Sequence, residues 1–459
     1  MKHAPFAAAL FMLFCVTGSA AAQSDPGRDA FLQWAKGAGH PLSSLEPTRA
    51  NADLASLARM IGRASIVAVT EGVHDGAEPL AFRNLVFQYL VEHQGFTAIA
   101  IESGITEGRV VHDYVRGGTG DLATVLAQGI SWTFDKLPQN AALIRWIREY
   151  NADPRHLRKV NFYGFDVPGS PGNPDAHRGM RTALDEVLGY LDRVDTATAM
   201  AFHSRLDPYL PDIQLDPRAR GAARYLRLSQ AERDAVTAAI ADLVATFEAR
   251  EAAYQAASSP TDYQWAYRSA LGARSVDTWL RQIPIGWLPS SGWTFLSKAI
   301  NIRDRTQADN LGWIVDQEGP DGKVVVFAAR VHLSTAPVKT SWSAPGAGEP
   351  VAGTYLWRRF GSRLVTIGNL IGKGTSGCGG YTDPVGVGGV ATPESIDGVV
   401  GMLGQPMLLL DLRGAPTMVR SWLDREHDLE GGPYGLKVEV GKAFDILFYL
   451  DTVTPACPK

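Results

Sequence analysis

The chain has 459 residues, of which 45% are hydrophobic and 20% are charged. This composition supports a folded protein with one large core or two moderate ones, and it excludes a disordered chain. The net charge is −4 and no basic tract is present, so nucleic acid and anionic lipid are not expected partners.

The first 22 residues are similar to a cleavable secretory signal. Lys2 stands at the front, an apolar stretch covers Ala7–Val16, and three small residues follow at Ala20–Ala22. This order is typical of a segment that directs export and is then removed. A buried N-terminal helix or a membrane anchor is the alternative, and it is disfavoured because the apolar stretch is shorter than the roughly 20 residues needed to span a bilayer. We expect an exported protein, periplasmic or secreted, without membrane association after cleavage.

Export would leave Cys378 and Cys457 in the mature chain. Two cysteines in an oxidising compartment are compatible with a disulfide near the C-terminus, and equally with two unpaired thiols. Neither has a histidine close in sequence, so they do not indicate a zinc site.

The segment from Ile66 to Glu102 predicts a strand-helix-strand unit. The β-branched run Ile66–Val69 ends at Glu71, and a second run, Ala98–Ile101, ends at Glu102. Apolar residues between them recur at the spacing of a helix with one apolar face. A helical crossover favours parallel pairing of the two strands. Both carboxylates should then lie at the same edge of the sheet, where ligands of open α/β sheets bind.

Later runs of the same kind predict further strands. They lie at Val160–Phe165, Lys323–Ala329, Leu364–Ile367, Met407–Leu410 and Ile446–Leu450. The first of these is followed by Asp166, and the second by Arg330 and His332. The stretch Gly372–Ala391 is rich in glycine and proline and predicts an exposed loop.

A section with a helical pattern separates Asp166 from the strand that precedes His332. Within it, Ser229–Glu232 matches the Ser-x-x-Glu start signal, and an alanine-rich helix is expected to about residue 256. We interpret residues 171–294 as a helical insertion that caps an α/β hydrolytic core of residues 23–170 and 295–459; helices that only flank the sheet are the alternative. The predicted class is α/β, with a mixed, largely parallel sheet flanked by helices.

His74 is the first candidate for chemistry. It follows the first strand in a turn that contains Gly72 and Gly76, and glycines allow backbone to approach a ligand. An imidazole with a pKa near about 6.5 can accept a proton from water, and a nearby carboxylate raises its basicity. We expect Glu71 or Glu102 to orient His74 as a general base; capping of the next helix is the alternative for Glu71.

Positively charged groups are expected at the same edge. Arg83 lies one turn into the first helix and can point back toward the strand ends, with a solvated surface arginine as the alternative. His332 could polarise a carbonyl or donate a proton. We expect Arg83 with His332 to stabilise the oxyanion and help the alkoxide depart, and such stabilisation is worth about 3 kcal/mol per donor. Asp166, Arg303 and Arg330 are the expected substrate-binding residues, although an ion pair at a helix start also explains Arg303.

Other reaction types lack their motifs. The segment Gly374–Cys378 misses the Gly-x-Ser-x-Gly nucleophile elbow by one position. The stretch Gly368–Gly374 has the wrong spacing for a phosphate loop and no Ser or Thr after Lys373. Glu78, four residues after His74, could share a metal ion with it, but capping of the helix start explains Glu78 more simply.

Several segments together resemble the erythromycin esterase family. The segment Thr70–His74 is similar to that family's Gly-Glu-x-x-His-Gly motif. The likeness continues through Glu78, Arg83, the run that ends at Glu102, Asp113–Val115, Phe162–Asp166, Arg303–Asp304, the strand before His332, Gly353–Leu356 and Phe360–Gly361. It therefore covers nearly the whole mature chain.

The resemblance implies roles for the candidate residues. His74 matches the histidine that activates water for macrolactone hydrolysis, and Glu71 and Glu102 match the acidic residues beside it. Arg83 and His332 match the accompanying arginine and second histidine. The resemblance also implies a metal-independent enzyme on a mixed α/β core with helical additions.

Three positions depart from the family pattern. Thr70 stands where Gly is usual, Asp75 follows the histidine where Gly is common, and Ala329–Val331 replaces a polar His-Asn pair. Arg330 would alter the charge of the cleft in which substrate choice is set.

These observations predict an exported hydrolase that cleaves an ester or macrolactone by His-activated water attack. No covalent intermediate, metal ion or cofactor is expected, and the partner is a small-molecule ester or lactone. A haem- or metal-binding protein of the same fold, and a metal-dependent hydrolase, are the alternatives.

Overall fold

The computed structural model describes residues 25–47, 51–169, 179–209, 228–285, 296–341, 343, 348–377, 383–386, 388–431 and 435–457. The expected signal peptide, residues 1–22, lies outside these ranges, and so does Cys378. Cys457 is described and is disulfide-bonded, which excludes an unpaired thiol at that position.

All strands expected from the sequence are present. The strands of the described residues are β1 (His40–Pro41), β2 (Ile66–Glu71), β3 (Ala98–Gly104), β4 (Asn161–Asp166), β5 (Val324–Ala329), β6 (Leu364–Ser376), β7 (Asp383–Pro384), β8 (Met407–Asp411), β9 (Glu426–Leu429), β10 (Leu436–Glu439) and β11 (Ile446–Val453). The large sheet has the order β1-β8-β11-β6-β2-β5-β3-β4, with β7 on β6, and β9 pairs with β10 separately.

The helices lie between these strands and around the sheet. They are α1 (Pro26–Ala38), α2 (Asn51–Ile61), α3 (Ala77–Gln94), α4 (Ile105–Val115), α5 (Leu122–Gly129), α6 (Pro138–Ala152), α7 (Met180–Val194), α8 (Thr196–Leu206), α9 (Gln230–Ala249), α10 (Glu251–Ala257), α11 (Pro260–Leu280), α12 (Leu296–Glu318), α13 (Arg330–Leu333), α14 (Ala352–Phe360), α15 (Ile396–Gly401), α16 (Thr417–Leu423) and α17 (Val440–Ala443). None of them combines the length and apolar character that crossing a membrane would require.

The centre of the sheet is parallel and covered on both faces. Neighbouring strands from β11 through β6, β2, β5 and β3 to β4 all run parallel, whereas β8 is antiparallel to both β11 and β1. Every residue of β2 is buried, as expected for a strand with helices on both sides. The predicted α/β class with a largely parallel sheet is therefore confirmed. The carboxyl ends of the six parallel strands lie along one edge of the sheet.

The helical section between β4 and β5 has a core of its own. Helices α7 to α11 share a buried cluster that includes Leu188, Leu243 and Phe247. The expected capping box is present at Ser229. The alanine-rich helix is two helices, because the backbone leaves helical geometry at Arg250 between α9 and α10. The division of the chain into a core and an insertion stays a prediction.

One expectation about this sheet is wrong. We expected a loop from Gly372 onward, but β6 continues to Ser376. The partner strand β11 pairs with it as far as Gly374, and these ladder hydrogen bonds outweigh the low strand propensity of glycine.

Candidate active site at the carboxyl edge of the sheet

Polar side chains gather where the parallel strands end. β2 ends at Glu71, β4 ends at Asp166, and β5 leads directly into α13, which carries His332. The pairing of β3 with β4 shifts register after Ile101, so that Glu102 lies in an irregular stretch of the kind that redirects side chains at functional sites. The edge predicted from the sequence is therefore a real cluster.

His74 and Glu71 form a close pair at this edge. The imidazole Nδ1 lies 2.7 Å from Glu71 Oε1. The Glu71 side chain is 2% exposed, whereas that of His74 is 36% exposed. The turn between them is held by Asn369, whose Oδ1 accepts a hydrogen bond from Gly72 N at 3.0 Å. One partner is thus buried and fixed, and the other is accessible to a ligand.

This pair holds a proton tightly. Burial works against protonation of His74, but the hydrogen bond and charge of Glu71 outweigh it and, with Glu102 and Asp75, raise the pKa of His74 to about 9. Burial raises the pKa of Glu71, against the effect of the hydrogen bond from His74. At neutral pH the ring is therefore mostly an imidazolium, and its capacity to act as a base increases with pH.

Arg303 connects three other polar residues of the site, Glu102, Asp166 and His332. Its Nη2 donates to Glu102 Oε1 at 2.7 Å and to Asp166 Oδ2 at 2.5 Å. Its Nη1 lies 3.1 Å from His332 Nε2. The other ring nitrogen, Nδ1, is 2.9 Å from Asp304 Oδ1, and Nε2 also lies 3.5 Å from Glu102 Oε1. A neutral His332 accepts from Arg303 at Nε2 and donates to Asp304 from Nδ1, whereas a protonated ring has carboxylate oxygens near both nitrogens.

The charges of this network stabilise one another. Burial alone would raise the pKa of Glu102, but His332, Arg303 and His74 lower it to about 2. Burial opposes the charge of Arg303, yet Asp166 and Glu102 hold its pKa above the usual value. Burial also opposes protonation of His332, and Asp304 and Glu102 raise its pKa against that effect. Glu102 and Arg303 are consequently ionised at every pH at which the protein is expected to work.

Asp166 is fully buried and forms an ion pair with Arg303. It is 0% exposed, and it accepts hydrogen bonds from Arg303, from the Trp132 indole at 3.2 Å and from Val167 N at 2.8 Å. We expected Asp166 to bind substrate. A fully buried carboxylate with these donors instead positions Arg303, whose side chain is 12% exposed.

Arg83 lies inside the protein behind Glu71. It is 1% exposed, and its Nε and Nη2 donate to Asn84 Oδ1 at 3.0 and 2.8 Å. Burial lowers the pKa of Arg83 to about 9 against the attraction of Glu71. A cavity of about 10 Å³, lined by Glu71, Glu102 and Arg83, is about the size of one water molecule. The alternative of a solvated surface arginine is wrong.

Arg330 is a core residue. It is 2% exposed, and its Nη1 donates to Asn369 O at 2.8 Å and lies 3.3 Å from Asp397 Oδ1. Asp397 neutralises its charge, and Asn369 in turn holds the turn at Gly72. The expectation that Arg330 binds substrate is therefore not supported by its position. It supports the turn that leads to His74.

Two aromatic residues of the site, Trp132 and Phe134, were not predicted from the sequence. The Arg303 guanidinium lies 4.8 Å from the centre of the Trp132 ring, and the ring of Phe134 lies 5.5 Å from that of His74. Both belong to an irregular segment between α5 and α6, in which Trp132 and Thr133 have φ angles of 66° and 68°. Positive φ is uncommon for such residues and often occurs at functional sites. No periodic pattern marks the segment in the sequence.

The possible metal ligands do not converge. Glu78 accepts hydrogen bonds from the backbone N and the hydroxyl of Thr454 at 2.8 and 2.7 Å. In the part of the chain that the structure describes, no group of three or more His, Cys, Asp or Glu side chains is arranged to hold a metal ion.

A comparison with known families identifies the chain. The model of the erythromycin esterase family matches residues 91–453, which is most of the sequence. The chain belongs to the erythromycin esterase family. The matched range includes Glu102, Arg303 and His332 and begins after His74. The resemblance seen in the sequence is confirmed, and membership of this family supports a hydrolase.

Two proteins similar to this erythromycin esterase family member share less than a quarter of its residues in the aligned range. The erythromycin esterase type II of Escherichia coli is 23% identical over 314 residues, which cover 67% of this chain and 70% of that protein. A solved protein from Bacillus cereus has a TM-score of 0.74 and 22% identity, and covers 93% of this chain and 98% of its own.

Two further solved structures share the fold. A succinoglycan biosynthesis protein has a TM-score of 0.72 at 21% identity, with coverage of 94% of this chain and 99% of its own. A mutant of the erythromycin esterase EreC in its open conformation has a TM-score of 0.68 at 17% identity, with coverage of 90% and 96%. The TM-scores show a common fold. A common fold by itself does not define a substrate.

Two of the residues that depart from the family motif, Thr70 and Arg330, both form hydrogen bonds with Asn369. Asn369 N donates to the hydroxyl of Thr70 at 2.9 Å, and Asn369 O accepts from Arg330. The third departure, Asp75, has a φ of 56°, a conformation that glycine adopts without strain. In this chain the region around the turn that carries His74 is therefore packed with its own set of contacts.

Proposed function

We propose that this family member is an exported hydrolase that cleaves an ester or lactone by attack of a water molecule activated by His74. The observation that carries the proposal is the His74–Glu71 pair, in which Glu71 occupies Nδ1 at 2.7 Å while the ring stays 36% exposed. Nε2 makes no hydrogen bond to a described residue and is the nitrogen that can accept a proton from water.

The reaction requires the neutral imidazole. Nε2 of His74 takes a proton from water, and the hydroxide oxygen forms a bond to the carbonyl carbon of the substrate. The C–O bond to the alkoxide then breaks, and the alkoxide takes the proton back from Nε2. Glu71 stabilises the imidazolium that exists between the two transfers, which is the usual function of a carboxylate beside a catalytic histidine.

Arg303 is the cation best placed for the oxyanion. We expected Arg83 in this role, but Arg83 is almost fully buried behind Glu71. The Arg303 side chain is 12% exposed and is held by Glu102 and Asp166, so its position is fixed before substrate arrives. Preorganised donors of this kind contribute about 3 kcal/mol each to transition-state stabilisation. We expected His332 to act on the oxyanion directly, but its two ring nitrogens face Arg303 and Asp304, so in this proposal His332 positions Arg303.

The substrate class follows from the relatives and is part of the proposal. One relative is named for erythromycin, so macrolactones are the first substrates to test, followed by simpler esters. The reaction described here needs no metal ion, cofactor or covalent intermediate. An exported enzyme would meet such a substrate before it reaches the cytoplasm.

Purified mature protein and its His74→Ala variant test the proposal. Both are incubated with macrolides and with aryl esters, and ring opening is followed by mass spectrometry as the gain of one water. We expect hydrolysis by the wild type and a loss of about 10² to 10⁴ in rate for His74→Ala. His93→Ala, which removes an exposed histidine of α3, is the matched control. Undiminished hydrolysis by a folded His74→Ala protein would exclude the mechanism.

A further inference from the structure

A second concave site lies away from the strand edge, between α11 and α12. It is a groove of about 320 Å³, a volume within the range of small-molecule sites. Its lining includes Arg268, Arg274, Thr306, Asn310, Trp313 and Arg359. None of these residues belongs to the hydrolytic site described above. The groove therefore needs an explanation of its own.

Arg268 is a largely desolvated cation without an acidic partner. Its Nε is buried and has no hydrogen-bond partner, and its Nη1 makes one long contact of 3.5 Å to Asn310 Oδ1. The guanidinium lies 5.3 Å from the centre of the Trp313 ring. Burial lowers the pKa of Arg268 to about 10. Withdrawing a charge from water is unfavourable unless a paired counter-charge replaces the water, so this arginine is incompletely satisfied in the protein alone.

The two acidic residues of the groove, Asp309 and Asp316, attract Arg268 through their charge, but neither forms an ion pair with it. Asp309 pairs with Arg305 at 3.0 Å, and Asp316 pairs with Arg359 at 2.8 Å. Arg274 is exposed and close enough to Arg268 to lower the pKa of Arg268 further. Among the described residues, neither Arg268 nor Arg274 forms an ion pair. Two cations of the same groove are thus left for a ligand.

We infer that this groove binds a small oxyanion with two or more negative charges, of the phosphate or polycarboxylate type, between Arg268 and Arg274. The planar fork of a guanidinium matches the oxygens of both groups. The face of Trp313 and the Asn310 amide would fix the orientation of Arg268. This site does not depend on the proposed hydrolase activity.

Titration calorimetry of the purified chain tests the inference. Inorganic phosphate and citrate are titrated separately at constant ionic strength, with sodium chloride as the balancing salt. We expect saturable binding of at least one of them at a single site, weakened about tenfold or more by Arg268→Gln and by Arg274→Gln. Arg268→Lys should bind with intermediate strength, because it keeps the charge and loses the fork.

The matched control is Arg193→Gln. Arg193 is an exposed arginine of α7 that donates only to the carbonyl of Gly189 in its own helix, so this variant removes the same charge elsewhere. Binding of phosphate alone or citrate alone would support the site and identify its ligand type. Absence of saturable binding up to about 10 mM, or equal weakening by Arg193→Gln, would overturn the inference. Arg274→Gln is the decisive variant if Arg268→Gln does not fold.

Discussion

Replacing Glu71 with Gln removes the charge that keeps His74 protonated. Glu71→Gln preserves the size of the side chain and an oxygen that can accept from Nδ1, but it removes a negative charge 2.7 Å away. Burial then acts on His74 with only the weaker attraction of Glu102 and Asp75 against it. Since the pKa of His74 stands at about 9 in place of 6.5, we expect it to fall by about two pH units.

The direction of the effect on activity follows from the protonation state of the base. Only neutral His74 accepts a proton, so kcat/KM of the wild type should rise with pH until about pH 9. The variant should reach its plateau about two pH units lower. That plateau should be about ten- to a hundred-fold below that of the wild type, because a weaker base transfers protons more slowly and its imidazolium has lost its partner.

The same pair contributes to stability with a defined pH dependence. A folded-state pKa raised to about 9 means that the His74 contribution is complete below pH 6.5, the usual value, and is lost as the pH rises through 9. Because the His74 side chain is 36% exposed, solvent screening limits this contribution to about 1 kcal/mol. The difference in unfolding free energy between wild type and Glu71→Gln should therefore change by that amount between pH 6 and pH 10.

Kinetics over pH 5 to 10 with a hydrolysable ester or lactone, and urea unfolding at both ends, check these expectations. Glu78→Gln is the control, because it also removes an acid from the neighbourhood of His74 while Glu78 binds Thr454 instead. Coincident acidic limbs for the wild type and Glu71→Gln would refute the argument that Glu71 sets the basicity of His74.

Three other variants or treatments have distinct expected outcomes. Arg303→Lys should lower kcat about a hundred-fold with little change in KM, measured by steady-state kinetics, because an ammonium lacks the planar fork with which Arg303 contacts Glu102, Asp166 and His332 at once. Arg83→Met should leave the urea midpoint unchanged or higher, since it removes a buried charge that has no carboxylate bonded to it, and should still reduce kcat/KM because Glu71 loses a nearby positive charge. Dialysis against a chelator should leave activity unchanged, with elemental analysis confirming removal of metal; a loss of activity restored by metal would support the metal-dependent alternative.

The strand ends could be predicted because their signal is local. Each parallel strand contains a run of mostly apolar residues that a polar residue follows, and parallel pairing fixes the edge at which that residue lies. Glu71, Glu102 and His332 therefore came out on the same edge as expected. The pairing of His74 with Glu71 also follows from a short turn after one strand.

The burial of single arginines could not be predicted in this way. Arg83 stands on the side of α3 that the apolar pattern leaves polar, but α6 covers that side, as the hydrogen bond from Asn84 to Gln139 O shows. Arg330 follows a strand like His332, yet it turns toward Asp397 from a distant part of the chain. Trp132 reaches the site through a segment with no repeating pattern. In each case the deciding contact is with a residue far away in sequence.

Chemical rescue of His74→Gly by added imidazole tests the central claim most directly. The variant removes the ring at a position that is 36% exposed, and small imidazole in solution can reach the vacated space beside Glu71. We predict that hydrolysis lost in His74→Gly returns with imidazole concentration, and that the rescued rate follows the neutral form of imidazole with pH. A folded variant that keeps full activity without imidazole, or one that no concentration of imidazole restores, would contradict a general-base role for His74.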